Sequence, residues 1–324
     1  MTIYRSLSEV PADFGPSALT IGNFDGVHFG HRQILRRLKQ LADAHGWKAS
    51  VLTFDPHPLR VVAPARAPRL MTSPERRADL MREEGIEQVL ILPFTPELAQ
   101  VSPEAFVRRI VVDALGARAV LVGDNFRFGH RHAGDVRLLE SLGRELDFTT
   151  EVVRAVGCRG RIVSSSGIRE LVQAGNVALA GRFLQHPHAL EGEVVPGRGV
   201  GSKQTVPTLN LAPTSELVPG RGVYVTRTTD LDDQSRSWQS ITNVGYRPTF
   251  GESEQLTVET FLLEALIGPA PRHIRVEFLW RVRDERKFET PEALRAQILR
   301  DVAAAQRYFR RLRAWLGRIP CTSS

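Results

Sequence analysis

Residues 19–42 read LTIGNFDGVHFGHRQILRRLKQLA and decide the fold of the first half of this chain. The apolar run at the start is typical of a buried strand, and a turn with two glycines follows it. Apolar residues then recur at helical spacing from Ile34 to Ala42, and Gly46 ends the helix. A strand, a glycine turn and a helix in this order form the geometry that places a phosphate at a helix N-terminus.

Two histidines lie where this turn enters the helix. His28 and His31 are three residues apart, so we expect both imidazoles on the same face. Two hydrogen-bond donors at a helix end that attracts anions indicate a site for a phosphate under attack. Together with Asp25 they could instead ligate zinc, since imidazole and carboxylate groups suit that metal. We favour phosphate chemistry, because glycines, Asp25 and both histidines all fall between a strand and a helix.

The composition is that of a globular protein that lacks membrane segments. The chain has 324 residues, of which 42% are hydrophobic and 24% are charged, enough for two domains. We expect no secretory leader, no membrane-spanning run and no disulfide framework, and hence a cytoplasmic protein with no membrane partner. The net charge of +7 favours anionic partners. Because the arginines form no compact basic tail, we rank a nucleotide above a nucleic acid.

Strands and helical segments alternate up to about residue 184, which predicts a Rossmann-like doubly wound parallel sheet. Ligands of such sheets bind beyond the carboxyl ends of the strands. Three polar clusters follow strands and should line one pocket, at residues 23–31, 54–57 and 123–132. A fourth cluster brings serines and arginines to a helix start and indicates phosphate binding, although N-capping alone would explain one serine. Its residues are Arg161, Ser164, Ser165, Ser166 and Arg169.

The pattern changes after residue 186. Short β-rich runs separated by glycine and proline clusters predict a small antiparallel β-barrel. A helix over 291–316 carries an apolar stripe, so we expect it to pack on the barrel. We therefore predict two domains, residues 1–186 and residues 187–324.

Polar residues of the second half also indicate phosphate chemistry. Thr208 and Asn210 lie two apart, so they share one side of an extended segment, and their oxygens suit Mg²⁺. Glu259 lies within an apolar strand, where it is either solvent-facing or a general base. An upstream loop alternates glycines with other residues, as in loops whose backbone amides wrap phosphates, although a flexible linker is the alternative. The loop residues concerned are Gly197, Gly199, Gly201 and Lys203.

Taken together, these motifs resemble those of the bacterial bifunctional riboflavin kinase/FAD synthetase family over nearly the whole chain. The first half matches the nucleotidyltransferase motifs of that family at residues 22–31, 53–58, 123–129 and 164–169. The second half resembles the kinase motifs at residues 207–210, 243–251 and 275–288. The chain departs from the family pattern at Thr205, Val206, Leu209, Gly167, His132 and residues 268–272.

The resemblance implies two reactions on one chain. The barrel would phosphorylate riboflavin to FMN with ATP, with Thr208 and Asn210 holding Mg²⁺ and Glu259 acting as the base. The N-terminal domain would adenylylate FMN to FAD and release pyrophosphate, with His28 and His31 donating to the α-phosphate. In this domain the resemblance also assigns ATP contacts to Gly22, Asn23, Phe24 and Asp25, and flavin contacts to Phe54, His57, Asn125 and Phe128.

Three other functions stay open from the sequence, and the first is a zinc-dependent hydrolase built on Asp25, His28 and His31. The departures beside the kinase's nucleotide loop fit an FAD synthetase whose barrel binds flavin without phosphorylating it. The basic surface fits a flavin-responsive regulator that binds RNA. The sequence does not determine the oligomeric state, so a homo-oligomer is also open.

Overall fold

The computed structural model describes residues 1–154, 157–158, 161–196, 208–212, 214–248, 254–286 and 288–316. The chain divides into two compact units, Met1–Ser165 and Ser166–Ser324. The predicted glycine loop, with Gly197, Gly199, Gly201 and Lys203, lies outside the described residues, and so does the side chain of Arg161. Within these ranges, no helix is both long enough and apolar enough to cross a membrane.

The first unit is built on a six-stranded parallel sheet. Its strands are β1 (Thr2–Tyr4), β2 (Ser17–Ile21), β3 (Lys48–Asp55), β4 (Gln88–Pro93), β5 (Ala117–Gly123) and β6 (Thr149–Val153). They lie in the order β1-β4-β3-β2-β5-β6, and every neighbouring pair is parallel. The chain moves from β2 outward to β3 and β4 and then places β5 on the other side of β2. The topological switch point, where such sheets bind ligands, therefore lies between β2 and β5.

Helices cover both faces of this sheet. They are α1 (Phe29–His45), α2 (Pro58–Val62), α3 (Pro74–Glu83), α4 (Pro103–Phe106), which continues as a π-helix over Val107–Ala114, and α5 (Val136–Leu146). Leu35 of α1 packs in one core cluster with Val51 of β3, whereas Phe106 of α4 packs in another with Leu52. Because successive residues of a strand point to opposite faces, Val51 and Leu52 enter different cores. The predicted doubly wound sheet is confirmed.

The segment after the sheet contains short elements that the sequence pattern predicts only in part. The two-stranded pair β7 (Gly157–Cys158) and β8 (Arg161–Ile162) is antiparallel and was not predicted, and neither were β1 and α2. The serine cluster leads into α6 (Ser165–Gln173) as predicted, and α7 (Val177–Leu184) follows.

The second unit is a closed antiparallel barrel. Its strands are β9 (His188–Val195), β10 (Thr208–Leu211), β11 (Gly222–Asp230), β12 (Ser237–Pro248), β13 (Glu254–Leu262) and β14 (His273–Arg283), in the closed order β10-β13-β12-β11-β14-β9. Tyr224 and Phe278 belong to the cluster inside the barrel. The last helix, α8 (Pro291–Leu316), packs Phe309 against Val223 and Ile241 on the outer face of the strands. The predicted barrel and its covering helix are confirmed.

Candidate active sites

The turn between β2 and α1 lies at the switch point of the sheet. Phe24 and Val27 adopt positive φ angles of 49° and 36° in this turn, which aromatic and branched residues rarely do. Both side chains are buried in the core beneath α1, so packing holds the strained backbone. Backbone strain that is held in this way is concentrated at functional sites.

Asp25 anchors this turn to the segment that precedes α3. Its carboxylate accepts hydrogen bonds from the backbone N–H groups of Met71 (2.9 Å) and Thr72 (3.2 Å) and from the Thr72 hydroxyl (3.3 Å). Asp25 is only 2% exposed. The carboxylate that a zinc site with His28 and His31 would need is therefore engaged by these donors, and the predicted nucleotide contact of Asp25 stays a prediction. Within the described part of the chain, no three His, Cys, Asp or Glu residues are grouped to hold a metal ion.

The two histidines share one face at the start of α1, as the spacing predicts. His28 is the N-cap of the helix, and its Nδ1 accepts a hydrogen bond from the backbone N–H of His31 at 3.3 Å. The two rings stack with centroids 3.7 Å apart and planes 14° apart. Because Nδ1 of His28 accepts, a neutral ring carries its proton on Nε2. A Cβ at Gly30 would lie 3.3 Å from the His28 ring, so this glycine leaves room for the stack.

Residues that follow β2 and β3 meet in one cluster. The side-chain amide of Asn23 lies 3.2 Å from Nε2 of His57. Nδ1 of His57 in turn accepts a hydrogen bond from the backbone N–H of Leu59 at 3.2 Å, which caps α2. The expectation that the clusters at 23–31 and 54–57 lie together is confirmed at this contact.

Arg77 is a residue that the sequence interpretation missed. From α3 it donates to the backbone oxygen of Asn23 at 2.8 Å and to Oγ1 of Thr53 at 3.1 Å. It is 2% exposed, and this burial lowers its pKa although the carboxylates of Asp25 and Asp55 oppose the shift. A charged residue among the apolar positions of an amphipathic helix is the signal that could have revealed it.

The flavin-side candidates flank the turn from β3 and β5. Phe54 is 9% exposed and contacts Phe94 edge-on, with ring centroids 5.5 Å apart. Phe128 is 6% exposed and stacks on Phe126 at 5.3 Å, whereas Asn125 is exposed. Both predicted phenylalanines thus belong to the core at this edge of the sheet, and their contact with flavin stays a prediction.

The serine cluster reaches the β2–α1 turn at its first helical residue. Oγ of Ser165 donates to the backbone oxygen of Asp25 at 3.5 Å. Ser164 precedes α6 and is exposed. Ser166 and Arg169 follow along α6 and belong to the second compact unit.

The barrel places Glu259 between two asparagines. In the strand register Glu259 of β13 is paired with Asn210 of β10 on one side and with Asn243 of β12 on the other. Directly paired residues of antiparallel strands point to the same face, with Cβ atoms about 4.5–5.5 Å apart. Leu209 and Val258, which directly precede Asn210 and Glu259 in their strands, belong to the cluster inside the barrel. Because successive residues of a strand point to opposite faces, Glu259 and both asparagines point outward from the barrel.

This row of side chains suits a hard cation next to a carboxylate. Thr208 lies two residues before Asn210 on β10 and therefore points to the same outer face. Hydroxyl and amide oxygens beside a half-buried Glu259 form a donor set that fits Mg²⁺. Asn243 lies in a segment that matches the family, but the sequence interpretation assigned it no role.

The comparisons with known proteins agree with this division into two sites. The FAD synthetase family matches residues 10–167 and the Riboflavin kinase family matches residues 184–309. The bifunctional riboflavin kinase/FMN adenylyltransferase of Pseudomonas fluorescens is 36% identical over 306 residues, which cover 94% of this chain and 97% of the relative. The corresponding protein of Escherichia coli is 33% identical and covers 94% and 96%.

A solved structure described as a macrolide-efflux protein from Streptococcus pneumoniae has a TM-score of 0.81 and 24% identity, over 94% of this chain and 98% of the other. At this identity the likeness shows a shared fold alone. The family assignment rests on the sequence identity of the curated relatives and on the share of the chain that they cover. The chain belongs to the bifunctional riboflavin kinase/FMN adenylyltransferase family.

Proposed function

We propose that this bifunctional enzyme makes FMN on the outer face of the barrel and FAD at the carboxyl edge of the sheet, with ATP as the donor in both reactions. The observation that carries the proposal is the presence of one separate polar cluster on each unit. The histidine pair lies at the N-terminus of α1, and the row with Glu259 lies across three barrel strands.

In the sheet unit, a phosphate oxygen of FMN attacks the α-phosphorus of ATP. The bond from this phosphorus to the bridging oxygen breaks, and pyrophosphate leaves without a covalent enzyme intermediate. His28 and His31 donate hydrogen bonds to the α-phosphate oxygens as negative charge builds on them. The N-terminus of α1 adds the positive end of its helix dipole at the same place. The chain thus contributes positioning and charge stabilisation.

The remaining predicted residues divide between the triphosphate and the flavin. Serines and arginines at the start of α6 suit the triphosphate because hydroxyl and guanidinium groups donate to phosphate oxygens. The residues proposed for ATP are Gly22, Asn23, Phe24, Asp25, Arg161, Ser164, Ser165, Ser166 and Arg169. Those proposed for the flavin are Phe54, His57, Asn125 and Phe128.

On the barrel, Glu259 accepts the proton of the ribityl 5′-hydroxyl of riboflavin. The hydroxyl oxygen attacks the γ-phosphorus of ATP, and ADP leaves. Thr208 and Asn210 would hold Mg²⁺, which neutralises phosphate charge when it is bound. Binding of the nucleotide by Gly197, Gly199, Gly201 and Lys203 stays a prediction for residues outside the described ranges.

The expectations about domain boundary, location, partners and oligomeric state remain part of this proposal. The domain boundary at residues 186 and 187 stays a prediction, since the compact units divide after Ser165 whereas the family matches end at 167 and begin again at 184. A cytoplasmic location, the absence of a nucleic-acid partner and a homo-oligomer stay predictions as well.

Product analysis tests the proposal. Purified full-length protein is incubated with riboflavin, ATP and Mg²⁺, and the products are separated over time. We expect FMN to form first and FAD to follow. An enzyme that makes FAD from added FMN but makes no FMN from riboflavin would instead support the FAD synthetase whose barrel does not phosphorylate flavin. Neither product, together with RNA binding that survives saturating ATP and FMN, would support the regulator.

A further inference from the structure

A second carboxylate lies over the outer face of the barrel that carries Glu259. Gly245 follows Asn243 by two residues on β12, so both positions point outward. A Cβ at Gly245 would lie 2.7 Å from Cδ of Glu285, which belongs to the segment after β14. The Glu285 carboxylate therefore occupies the space that a larger residue at position 245 would fill.

The Glu285 side chain differs from its neighbours in having no bonding partner among the described residues. Asp284 forms an ion pair with Arg281 at 3.0 Å, and Arg286 donates a hydrogen bond to Gln297. Glu285 is half-buried, yet its carboxylate makes no hydrogen bond or ion pair in the described ranges. A carboxylate in this position can accept hydrogen bonds from a ligand.

The strand register brings this carboxylate within reach of the candidate base. Gly245 pairs with Thr257, and Thr257 precedes Glu259 by two residues on the same face of β13. Diagonal neighbours on a sheet face are about 7–8 Å apart. Glu259 and Glu285 can therefore contact the same bound molecule.

The charge of Glu285 indicates which substrate it meets. A carboxylate repels the triphosphate of ATP, whereas riboflavin is neutral and its ribityl chain carries several hydroxyl donors. We propose that Glu285 is a positioning residue that accepts a hydrogen bond from a ribityl hydroxyl and orients the chain so that the 5′-hydroxyl meets Glu259. This inference rests on the proposed kinase site.

Initial rates of FMN formation by the full-length enzyme test the inference, with riboflavin and ATP varied separately. In Glu285→Ala we expect the KM for riboflavin to rise about tenfold and the KM for ATP to stay unchanged, because one hydrogen bond to a charged group is lost. Glu285→Gln keeps an acceptor oxygen, so the rise should be smaller. Riboflavin analogues that each lack one ribityl hydroxyl identify the hydroxyl concerned. The analogue without the hydroxyl that donates to Glu285 should have the same KM with the wild type and with Glu285→Ala.

A second variant acts through the geometry alone. Gly245→Ala displaces the Glu285 carboxylate and should raise the KM for riboflavin in the same way, with thermal unfolding as the check on folding. Glu289→Ala removes an exposed carboxylate of the same segment and should change neither KM. An unchanged riboflavin KM in an active Glu285→Ala enzyme, or an equal rise for ATP, would overturn the inference and leave the proposed function standing. A wild-type enzyme that makes no FMN would overturn the proposed kinase site itself.

Discussion

The sheet site and the barrel site are assembled in opposite ways. Asn23, His28 and His31 come from one stretch of chain, and the two rings meet at the start of α1, where His28 caps the backbone N–H of His31. Asn210 and Glu259 are far apart in sequence and meet because their strands pair in one register. A site made by local spacing is visible in the sequence, whereas a site made by register depends on which strands become neighbours.

The two sites also differ in what holds them. Hydrogen bonds to other elements support the turn of the sheet site, since the buried Asp25 carboxylate accepts from Met71 and the backbone oxygen of Asn23 accepts from Arg77. The barrel site relies on the backbone ladders that β13 shares with β10 and β12. Substitutions should therefore separate the two activities, and loss of a buried anchor should affect the sheet unit in particular.

The largest expected effect is on the barrel. Glu259→Gln removes the proposed base and should lower FMN formation by about 10²- to 10⁴-fold, the usual contribution of general base catalysis. FAD formation from added FMN should be unchanged. Initial rates of both reactions measure this, with Glu264→Gln as the control because that carboxylate is exposed just beyond β13. An unchanged rate of riboflavin phosphorylation would show that the base is assigned wrongly.

The matching test of the sheet site removes one imidazole. His28→Ala or His31→Ala should lower FAD formation at least about a hundredfold, because a donor to the developing phosphate charge is lost. FMN formation should be spared. His45→Ala, at the other end of α1, removes a ring that stacks on Trp47 at 4.4 Å and serves as the control. Equal loss of both activities would contradict two separate sites.

A smaller effect should come from the anchor beneath the histidines. Asp25→Asn disturbs the buried acceptor of the Met71 and Thr72 amides and should lower the free energy of unfolding by about 1–3 kcal/mol. Denaturant unfolding measures it, and Asp43→Asn, an exposed ion-pair partner of Lys39, should stay within about 0.5 kcal/mol of wild type. An unaltered unfolding free energy would contradict the anchoring role of Asp25, whereas a raised KM for ATP would support the nucleotide contact proposed above.

The smallest effect concerns acid and the ion pairs between α1 and the end of α3. Burial of Glu84 opposes its charge, but hydrogen bonds from Arg36 and Arg32 outweigh this and hold its pKa below the ordinary 4.5. A carboxyl group with a lowered pKa stabilises the fold above the pKa of the unfolded chain, and the contribution is lost as pH falls. Glu84→Gln should therefore lose less stability than wild type on acidification below about pH 4.5. Parallel curves of unfolding free energy against pH would contradict this.

Much of the fold follows from patterns within short segments. The alternation of strands and helices up to α7 predicts the parallel sheet, and the short runs after residue 186 predict the barrel. Hydrophobic periodicity also predicts α8 with its observed bounds, Pro291–Leu316. The shared face of His28 and His31 is predicted for the same reason, because the period of a helix is a local property.

The remaining features depend on contacts between distant parts of the chain. The support of Asn23 by Arg77, the place of Glu259 between two asparagines and the position of Glu285 over Gly245 have no local pattern. Residue types and their spacing were enough to indicate the chemistry of both sites. Packing and strand register decided which side chains meet, because burial and ladder pairing act between segments far apart in sequence.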